Sequence, residues 1–247
     1  MIVHVPEQTI SADAPLLTAV IFDVDGVLLA SPHEQAWREA LIGLADPARF
    51  TTAMYQADVA GKPRLAGARA TLAALGVPDV PGQAEIYAQH KQARLEQLID
   101  AGAVKAFPDA LRFVQAVMSL SWPMAVASSS KNANAMMKKI RMESGQSLFD
   151  VFRFNDCGRD LKQGKPNPEI FLLAAAGLRI APAHCFVVED SPNGITAAKA
   201  GGMTGLGVAR LGDSGPLGEA GADLVVTSLD DIAVDQLAHG RLCRRST

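Results

Sequence analysis

The stretch "VIFDVDGVLL", residues 20–29, decides the fold. It opens with the β-branched and aromatic residues of a buried strand and then changes to Asp23, Asp25 and Gly26. Two carboxylates at this spacing repel each other and lose hydration when buried, unless a cation lies between them. The pattern therefore predicts a buried strand that ends at a charged functional site. Taken alone, DxDG is also compatible with an ordinary turn at the end of a strand.

Further apolar runs of strand length follow along the chain. They occupy residues 18–22, 124–128, 185–188, 205–209 and 224–228. Segments with helical periodicity lie between the later runs, at residues 109–120, 132–142, 168–178 and 193–202. Alternating strands and helices predict an α/β fold, with a Rossmann-like parallel sheet covered by helices on both faces.

Residues 33–102 interrupt this alternation. The segments at residues 34–44, 63–75 and 82–99 have helical character, and no strand is predicted among them. They predict a small α-helical cap domain over residues 33–102, inserted into a catalytic core domain formed by residues 1–32 and 103–247. Pro32 and the stretch from Gly102 to Pro108 are the predicted crossing points.

Composition excludes several classes of protein. The chain has 247 residues, of which 49% are hydrophobic and 20% charged, with a net charge of -3. This balance is typical of a globular protein and argues against a nucleic-acid partner. Cys157, Cys185 and Cys243 lack the spacing of a zinc site or a disulfide framework. With no apolar run long enough to span a membrane, we expect a soluble cytoplasmic protein that is a monomer or a weak dimer.

Polar residues follow several of the predicted strands. In an open parallel sheet, ligands bind beyond the carboxyl ends of the strands. The residues that we expect to meet there are Asp23, Asp25, Ser128, Lys165, Glu189 and Asp190. Carboxylates, a hydroxyl and a lysine would then converge from segments that are distant in the sequence.

This set of residues fits phosphoryl transfer assisted by Mg²⁺. Magnesium prefers oxygen ligands, and the candidates are Asp23, Asp25, Glu189 and Asp190, with Asp23 and Asp190 as the main pair. Asp23 would attack phosphorus to form an aspartyl phosphate, while Asp25 would act as general acid and then as general base. Ser128 and Lys165 would hold the phosphoryl oxygens.

Each motif also has a structural interpretation. The lysine in "GKP", Lys165, could lie in a solvated loop, and "SSS" at 128–130 could be a polar loop. "EDSPNG" could cap a helix, with Asp190 or Ser191 at the N-cap and Pro192 at the first helical position. The joint occurrence of these motifs at predicted strand ends favours the catalytic interpretation.

The sequence resembles the haloacid dehalogenase superfamily. "DVDGVL", "VASSSKN", "GKPNPEIF" and "VVEDSPNGITAAKAGGM" are similar to its four motifs, and the group with the greatest similarity is the β-phosphoglucomutase-like enzymes of sugar phosphates. The resemblance implies Asp23 as nucleophile, Asp25 as acid and base, and Ser128 and Lys165 at the phosphate. It also implies that Asp190 and Glu189 lie at Mg²⁺.

The resemblance extends to the cap. "AGKPRLAGA" is similar to a cap loop in which a glycine and an arginine, here Gly61 and Arg64, bind a substrate phosphate. Lys91 falls where the group has a cap lysine that faces the active site, and His33 is similar to a histidine near the hinge. Solvated positions on amphipathic helices are the alternative for these residues.

Residues after the second motif, Ser129, Ser130, Lys131 and Asn132, are candidates to contact sugar hydroxyls or a second phosphate, or else begin the next helix. Relatives commonly carry an aspartate where Ala30 stands, and the segment up to His33 is about two residues shorter than in the best-known mutases.

Three functions remain open at this point. We expect a Mg²⁺-dependent phosphatase that acts on a small phosphorylated metabolite, such as a sugar phosphate. A β-phosphoglucomutase-type phosphomutase is the alternative, since a cap that excludes water and holds a second phosphate permits transfer to a substrate hydroxyl. A more distant alternative is a non-catalytic sugar-phosphate binder.

Overall fold

Six parallel strands form the central sheet of the protein. The computed structural model describes residues 15–60, 62–212 and 214–246. Strands are numbered in chain order, and those of the central sheet are β1 (Ala19–Phe22), β4 (Met124–Val126), β5 (Phe154–Asn155), β6 (Cys185–Glu189), β7 (Thr204–Val208) and β8 (Leu224–Val226). The other two strands, β2 (Leu29–Ala30) and β3 (Lys105–Ala106), form a separate antiparallel pair. The sheet order is β5-β4-β1-β6-β7-β8, which confirms the predicted parallel α/β fold.

Helices cover the sheet and fill the segment between β2 and β3. The α-helices are α1 (His33–Glu39), α2 (Thr52–Met54), α3 (Arg64–Ala74), α4 (Val80–Asp100), α5 (Pro108–Ser119), α6 (Ala133–Lys139), α7 (Glu169–Leu178), α8 (Pro192–Ala200), α9 (Ser214–Glu219) and α10 (Val234–Ala238). A single π-helical turn, Tyr55–Val59, continues directly from α2. None of the described helices is long and apolar enough to cross a membrane.

The apolar run of β1 is explained by burial on both faces of the sheet. All four of its residues are buried. Val20 and Phe22 pack into one apolar cluster, and Ala19 and Ile21 pack into another on the opposite face. Because both faces are covered, the strand has no alternation of polar and apolar residues. Asp23 follows directly and is therefore the first charged side chain at the carboxyl edge of the sheet.

The helical segment has an apolar cluster of its own. Its largest members include Trp37, Leu41, Phe50, Leu72 and Tyr87. The Trp37 and Tyr87 rings lie 5.1 Å apart between centroids, and the Tyr87 hydroxyl donates to the Trp37 carbonyl at 2.8 Å. A separate core is what an inserted cap domain requires. The boundaries at residues 33 and 102 stay a prediction, and the β2–β3 pair lies just outside them.

Some predicted elements differ from the structure. The helix expected over 34–44 ends at Glu39, and Gly43 then adopts a positive φ of 88°. The helix expected over 132–142 ends at Lys139, because the chain turns back there and Leu148 N–H donates to the Ile140 carbonyl at 3.0 Å. The two-residue strand β5 was not predicted, since so short a run carries no period.

Arg210 connects the loop after β1 to the start of α5. Its guanidinium donates to Asp109 Oδ2 at 2.6 Å and to the Val27 carbonyl at 3.2 Å. It also lies 4.1 Å from the centroid of the Phe107 ring. Asp109 accepts a further hydrogen bond from the Leu229 N–H at 2.8 Å. Although burial raises the pKa of Asp109, these hydrogen bonds hold it below its ordinary value.

We expect Arg210→Met to lower the free energy of unfolding by about 3 kcal/mol, because it leaves the buried Asp109 carboxylate without its cation. Urea unfolding monitored by circular dichroism measures the change. Arg112→Met is the matched control, since Arg112 pairs with Asp230 at the surface and such pairs contribute less than about 1 kcal/mol. Equal effects of the two substitutions would contradict a structural role for Arg210.

Candidate active site

Loops at the carboxyl ends of the strands surround one cavity of about 330 Å³, here called the active-site cavity. Asp23 follows β1, Asp190 follows β6, and Glu189 is the last residue of β6. The predicted site residues that line it are Asp23, Asp25, His33, Arg64, Lys91, Ser128, Ser129, Ser130, Lys131, Asn132, Lys165, Glu189 and Asp190. Gly61 lies outside the described residues. The structure thus brings together residues that are up to 167 positions apart in the sequence, from Asp23 to Asp190.

A buried lysine connects two of the acids. Lys165 Nζ donates to Asp23 Oδ1 at 2.6 Å and also to Glu189 Oε1. The Lys165 side chain is 1% exposed, so the solvated-loop interpretation of this lysine is wrong. Although burial disfavours its ammonium form, Asp23 and Glu189 raise the pKa of Lys165 above the ordinary value. A permanent positive charge therefore lies beside Asp23.

Glu189 is held by the start of α8. Its Oε2 accepts hydrogen bonds from the Asp190 N–H, the Ser191 N–H and the Ser191 hydroxyl, at 2.9 to 3.1 Å. Ser191 is the N-cap of α8, since its hydroxyl accepts from the Gly194 N–H, and Pro192 is the first helical residue. A Cβ at Gly194 would lie 1.9 Å from the Glu189 carboxyl carbon. The predicted helix cap is thus present and also fixes this carboxylate.

Burial raises the pKa values of Asp23 and Asp190, and neighbouring carboxylates add to the shift. Burial, opposed by Lys165 and reinforced by Glu189 and Asp25, raises the pKa of Asp23 to about 7. Burial, together with Glu189 and Asp23, raises the pKa of Asp190 well above its ordinary value. A region in which buried carboxylates repel each other favours the binding of a cation.

The donor set fits a hard divalent cation. Among the described residues, no three His, Cys, Asp or Glu side chains are placed to hold a metal by themselves. Magnesium is nevertheless commonly held by one or two carboxylates, with water and substrate phosphate oxygens as further ligands. A Cβ at Gly26 would lie 1.9 Å from Asp190 Oδ2, and Gly26 has a φ of 80°. Only glycine at this turn lets Asp190 approach the loop that carries Asp23 and Asp25.

Hydrogen bonds order the loop after β4. Ser128 is buried, its carbonyl accepts from the Gly158 N–H at 2.8 Å, and its hydroxyl accepts from the Ser130 N–H at 3.2 Å. The Ser130 hydroxyl accepts from the Asn132 N–H at 3.3 Å. The loop is polar, as the structural interpretation proposed, but its geometry is fixed at the cavity wall.

A lysine and a histidine from the helical insert face Asp25 and Ser130. Lys91 Nζ donates to His33 Nδ1 at 2.9 Å and lies 5.1 Å from the centroid of the Trp37 ring. His33 Nε2 is then the protonated nitrogen, and it lies 3.6 Å from Asp25 Oδ1 and 3.3 Å from the Ser130 hydroxyl. Lys91 is 3% exposed, which rules out a solvated position for it.

Burial lowers the pKa of both cap groups. It brings the pKa of Lys91 to about 7, with Asp25 opposing and Arg64 reinforcing the shift. Burial and the neighbouring Lys91 bring the pKa of His33 to about 4, against the influence of Asp25. At neutral pH His33 is therefore uncharged, and an anion bound near Lys91 restores the charge of the lysine.

We expect the affinity of the metal-free protein for sulfate to fall as pH rises through 7, because Lys91 loses its proton while sulfate keeps its charge. Release of one proton lowers the affinity for sulfate by at most about tenfold per pH unit. Isothermal titration calorimetry between pH 6 and pH 9 measures the affinity. Lys91→Met should make the dependence on pH weaker, and the ionisation of Asp23, whose pKa is also about 7, accounts for the part that remains. Lys139→Met, at an exposed lysine, should leave the dependence unchanged; an unchanged dependence in Lys91→Met would contradict the assignment.

The sequence did not reveal the contact between cap and core. Arg64 donates to Gln92 Oε1 at 2.5 Å, and Gln92 Nε2 donates to Asn132 Oδ1 at 3.2 Å. Gln92 therefore joins the cap arginine to the loop after β4. Arg64 is itself exposed, yet it lines the cavity. The only sequence signal for Gln92 is its position next to Lys91.

The fold and the geometry of the cavity together define a class of enzyme. A parallel α/β core with an inserted helical segment and a convergent set of carboxylates, lysine and serine is that of an enzyme of phosphoryl transfer, a phosphatase or a phosphomutase. A family model described as "haloacid dehalogenase-like hydrolase" matches residues 17–202. The chain belongs to this family.

Relatives and solved structures agree with this placement. The chain is 32% identical to the "Beta-phosphoglucomutase" of Mycobacterium tuberculosis, over 87% of this chain and 90% of that protein. It is 32% identical to the "Phosphorylated carbohydrates phosphatase" of Thermotoga maritima, over 85% of this chain and 94% of that protein. The archaeal β-phosphoglucomutase structure from Pyrococcus sp. superimposes with a TM-score of 0.72 at 31% identity, covering 89% of this chain and 96% of that chain.

Proposed function

We propose that the protein is a Mg²⁺-dependent phosphatase that hydrolyses a small phosphorylated sugar or similar monoester through an aspartyl phosphate on Asp23. The observation that carries this proposal is the position of Asp23, which accepts a hydrogen bond from buried Lys165 and shares one cavity with Asp25 and Asp190. Both a sugar-phosphate mutase and a carbohydrate-phosphate phosphatase are among the similar proteins. We further propose a cytoplasmic location and a monomer or weak dimer.

In the proposed mechanism, Asp23 is the nucleophile. An Asp23 carboxylate oxygen attacks phosphorus while Asp25 gives a proton to the departing substrate oxygen. In the second step Asp25 takes a proton from water, whose oxygen attacks phosphorus and releases Asp23. Lys165 and the ordered loop at Ser128 hold the phosphoryl oxygens and stabilise the charge that develops on them.

Asp23 and Asp190 would hold Mg²⁺, with Glu189 in support. When bound, the ion offsets the negative charge of the carboxylates and the phosphoryl group. Glu189 has a different task in this proposal, because its oxygens are already engaged by Lys165, Ser191 and the Asp190 N–H. It keeps Lys165 and the start of α8 in place around the metal-binding pair, while Asp25 serves as acid and base.

Cap residues supply the contacts to the rest of the substrate. Arg64, which is a cation, and Lys91, which is a cation when protonated, lie on the cap side of the cavity. The core side is lined by Ser129, Ser130, Lys131 and Asn132. His33 lies between Lys91 and Asp25, at 2.9 Å from the Lys91 Nζ atom and 3.6 Å from the Asp25 Oδ1 atom. We propose that these residues bind sugar hydroxyls or a second anionic group; the same role for Gly61 stays a prediction.

The phosphomutase is the second candidate, since the buried Lys91 and the bridging Arg64 offer two sites for a second phosphate. The discriminating experiment incubates the protein with β-glucose 1-phosphate, Mg²⁺ and a trace of the 1,6-bisphosphate. Free phosphate supports the phosphatase, and glucose 6-phosphate without free phosphate supports the mutase. If neither these nor a panel of sugar phosphates and chromogenic esters reacts in a Mg²⁺-dependent manner, a non-catalytic binder is the correct function.

A further inference from the structure

A second cavity adjoins the catalytic acids. This cavity, here called the rear cavity, has a volume of about 140 Å³ and shares Asp25, Tyr55 and Asp190 with the active-site cavity. Further walls come from the turn after β1, from the two segments that join the core to the helical insert, and from the π-helical turn. They include Gly26, Ser31, Gln56, Phe107 and Arg210.

Two buried acceptor atoms belong to residues of this cavity. Gln56 Oε1 and Asp25 Oδ1 are buried and accept no hydrogen bond within the described part of the chain. His33 Nε2 lies 3.6 Å from Asp25 Oδ1, which is too far for a hydrogen bond. An unsatisfied buried acceptor is costly. The rear cavity, whose lining includes the polar side chains of Ser31, Glu34 and Arg210, has room for several waters beside these two residues.

The π-helical turn explains how neighbouring residues reach the two cavities. Turns of this type are rare and are frequent at functional sites. Tyr55 is the first residue of the turn and lines both cavities. Gln56 follows it and lines the rear cavity but not the active-site cavity. Burial and the nearby Asp25 and Asp190 raise the pKa of Tyr55 well above its ordinary value. Its hydroxyl therefore stays protonated and can donate to a passing water.

We propose that the rear cavity supplies the water that hydrolyses the phosphoaspartate, and that Gln56 is a positioning residue that holds this water near Asp25. The proposal rests on the proposed phosphatase function. Water moves past Tyr55 to the phosphorus and gives one proton to the Asp25 carboxylate. Its oxygen forms a bond to phosphorus as the bond from phosphorus to the Asp23 oxygen breaks, which yields inorganic phosphate and the free Asp23 carboxylate.

Rapid-quench kinetics with p-nitrophenyl phosphate and Mg²⁺ test this step separately from the first. We expect Gln56→Leu to slow the loss of enzyme-bound phosphate roughly tenfold, the scale of one lost hydrogen bond to water. The rate of nitrophenol formation in the burst and kcat/KM should not change, because both report on attack by Asp23. The melting temperature should not fall, since Gln56 Oε1 accepts no hydrogen bond from the described part of the protein. Gln35→Leu, on the exposed face of α1, is the matched control.

Different failures have different signatures. If the wild-type protein forms no phosphoenzyme, the proposed function is wrong, and the proposed kinetic role of Gln56 is wrong as well. If the phosphoenzyme forms and Gln56→Leu loses phosphate at the wild-type rate, or if burst rate and phosphate loss fall together, the rear-cavity proposal alone fails. A crystal structure of the metal-free protein gives an independent readout: a water bonded to Gln56 Oε1 is expected, and a dry rear cavity would overturn the proposal.

Discussion

Asp23→Asn abolishes turnover while the protein keeps its fold. An amide oxygen is a poor nucleophile, so the aspartyl phosphate cannot form, and we expect kcat to fall by roughly 10⁴ to 10⁶, the scale of losing a nucleophile. Lys165 keeps its contact with Glu189, which preserves the buried ion pair. Steady-state release of phosphate from p-nitrophenyl phosphate with Mg²⁺ measures the loss, and far-ultraviolet circular dichroism checks the fold.

Asp100→Asn is the matched control for this experiment. It makes the same change of charge at an exposed carboxylate that pairs with Lys139, away from both cavities. We expect it to retain wild-type kcat and KM. Turnover by Asp23→Asn within tenfold of the wild-type rate would refute the assignment of the nucleophile.

Lys165→Met has the second largest effect, and it acts on stability as well as on rate. Without the ammonium, two buried acids, Asp23 and Glu189, lose their shared cation. Removing one partner of a buried ion pair costs about 3–5 kcal/mol. The phosphoryl group also loses a positive charge beside it, so we expect kcat to fall at least about 100-fold.

Urea unfolding and steady-state kinetics measure the two effects of Lys165→Met. Lys139→Met is the control, because Lys139 pairs with Asp100 at the surface and such pairs contribute little. If Lys165→Met unfolds at the wild-type urea concentration, the ion network does not stabilise the site. If it also turns over normally, Lys165 has no part in the chemistry.

The fold was predictable because buried strands and helices have apolar sequence patterns that can be recognised. β1 is covered on both faces, so its four residues form an uninterrupted apolar run. The change to charge at Asp23 then marks the carboxyl edge of the sheet. The helical insert was equally visible, since α3 and α4 span 11 and 21 residues, which is longer than an ordinary strand.

The catalytic edge of the site could also be predicted, because each motif directly follows a strand or precedes a helix. Topology alone then brings Asp23, Ser128 and Asp190 to one side of the sheet. The burial of Lys165 was not readable from "GKP", since it depends on Asp23 and Glu189, which approach it from other segments.

Contacts between cap and core could not be predicted. The bridge from Arg64 through Gln92 to Asn132 depends on the orientation of three side chains from separate elements. The π-helical turn that presents Tyr55 and Gln56 is a local departure from α-helical spacing, and apolar periodicity does not encode it. The contacts between cap and core and the rear cavity are therefore seen only in the structure.

Chemical trapping of the phosphoenzyme determines whether Asp23 becomes transiently phosphorylated. The protein is mixed with ³²P-labelled substrate and Mg²⁺, quenched in acid within milliseconds, reduced with borohydride and digested for mass spectrometry. Reduction converts an aspartyl phosphate to homoserine, so we expect homoserine at position 23 of the wild-type protein and no bound label on the Asp23→Asn variant. Full release of phosphate with no homoserine at position 23, or with label on Ser128 instead, would contradict the phosphorylation of Asp23.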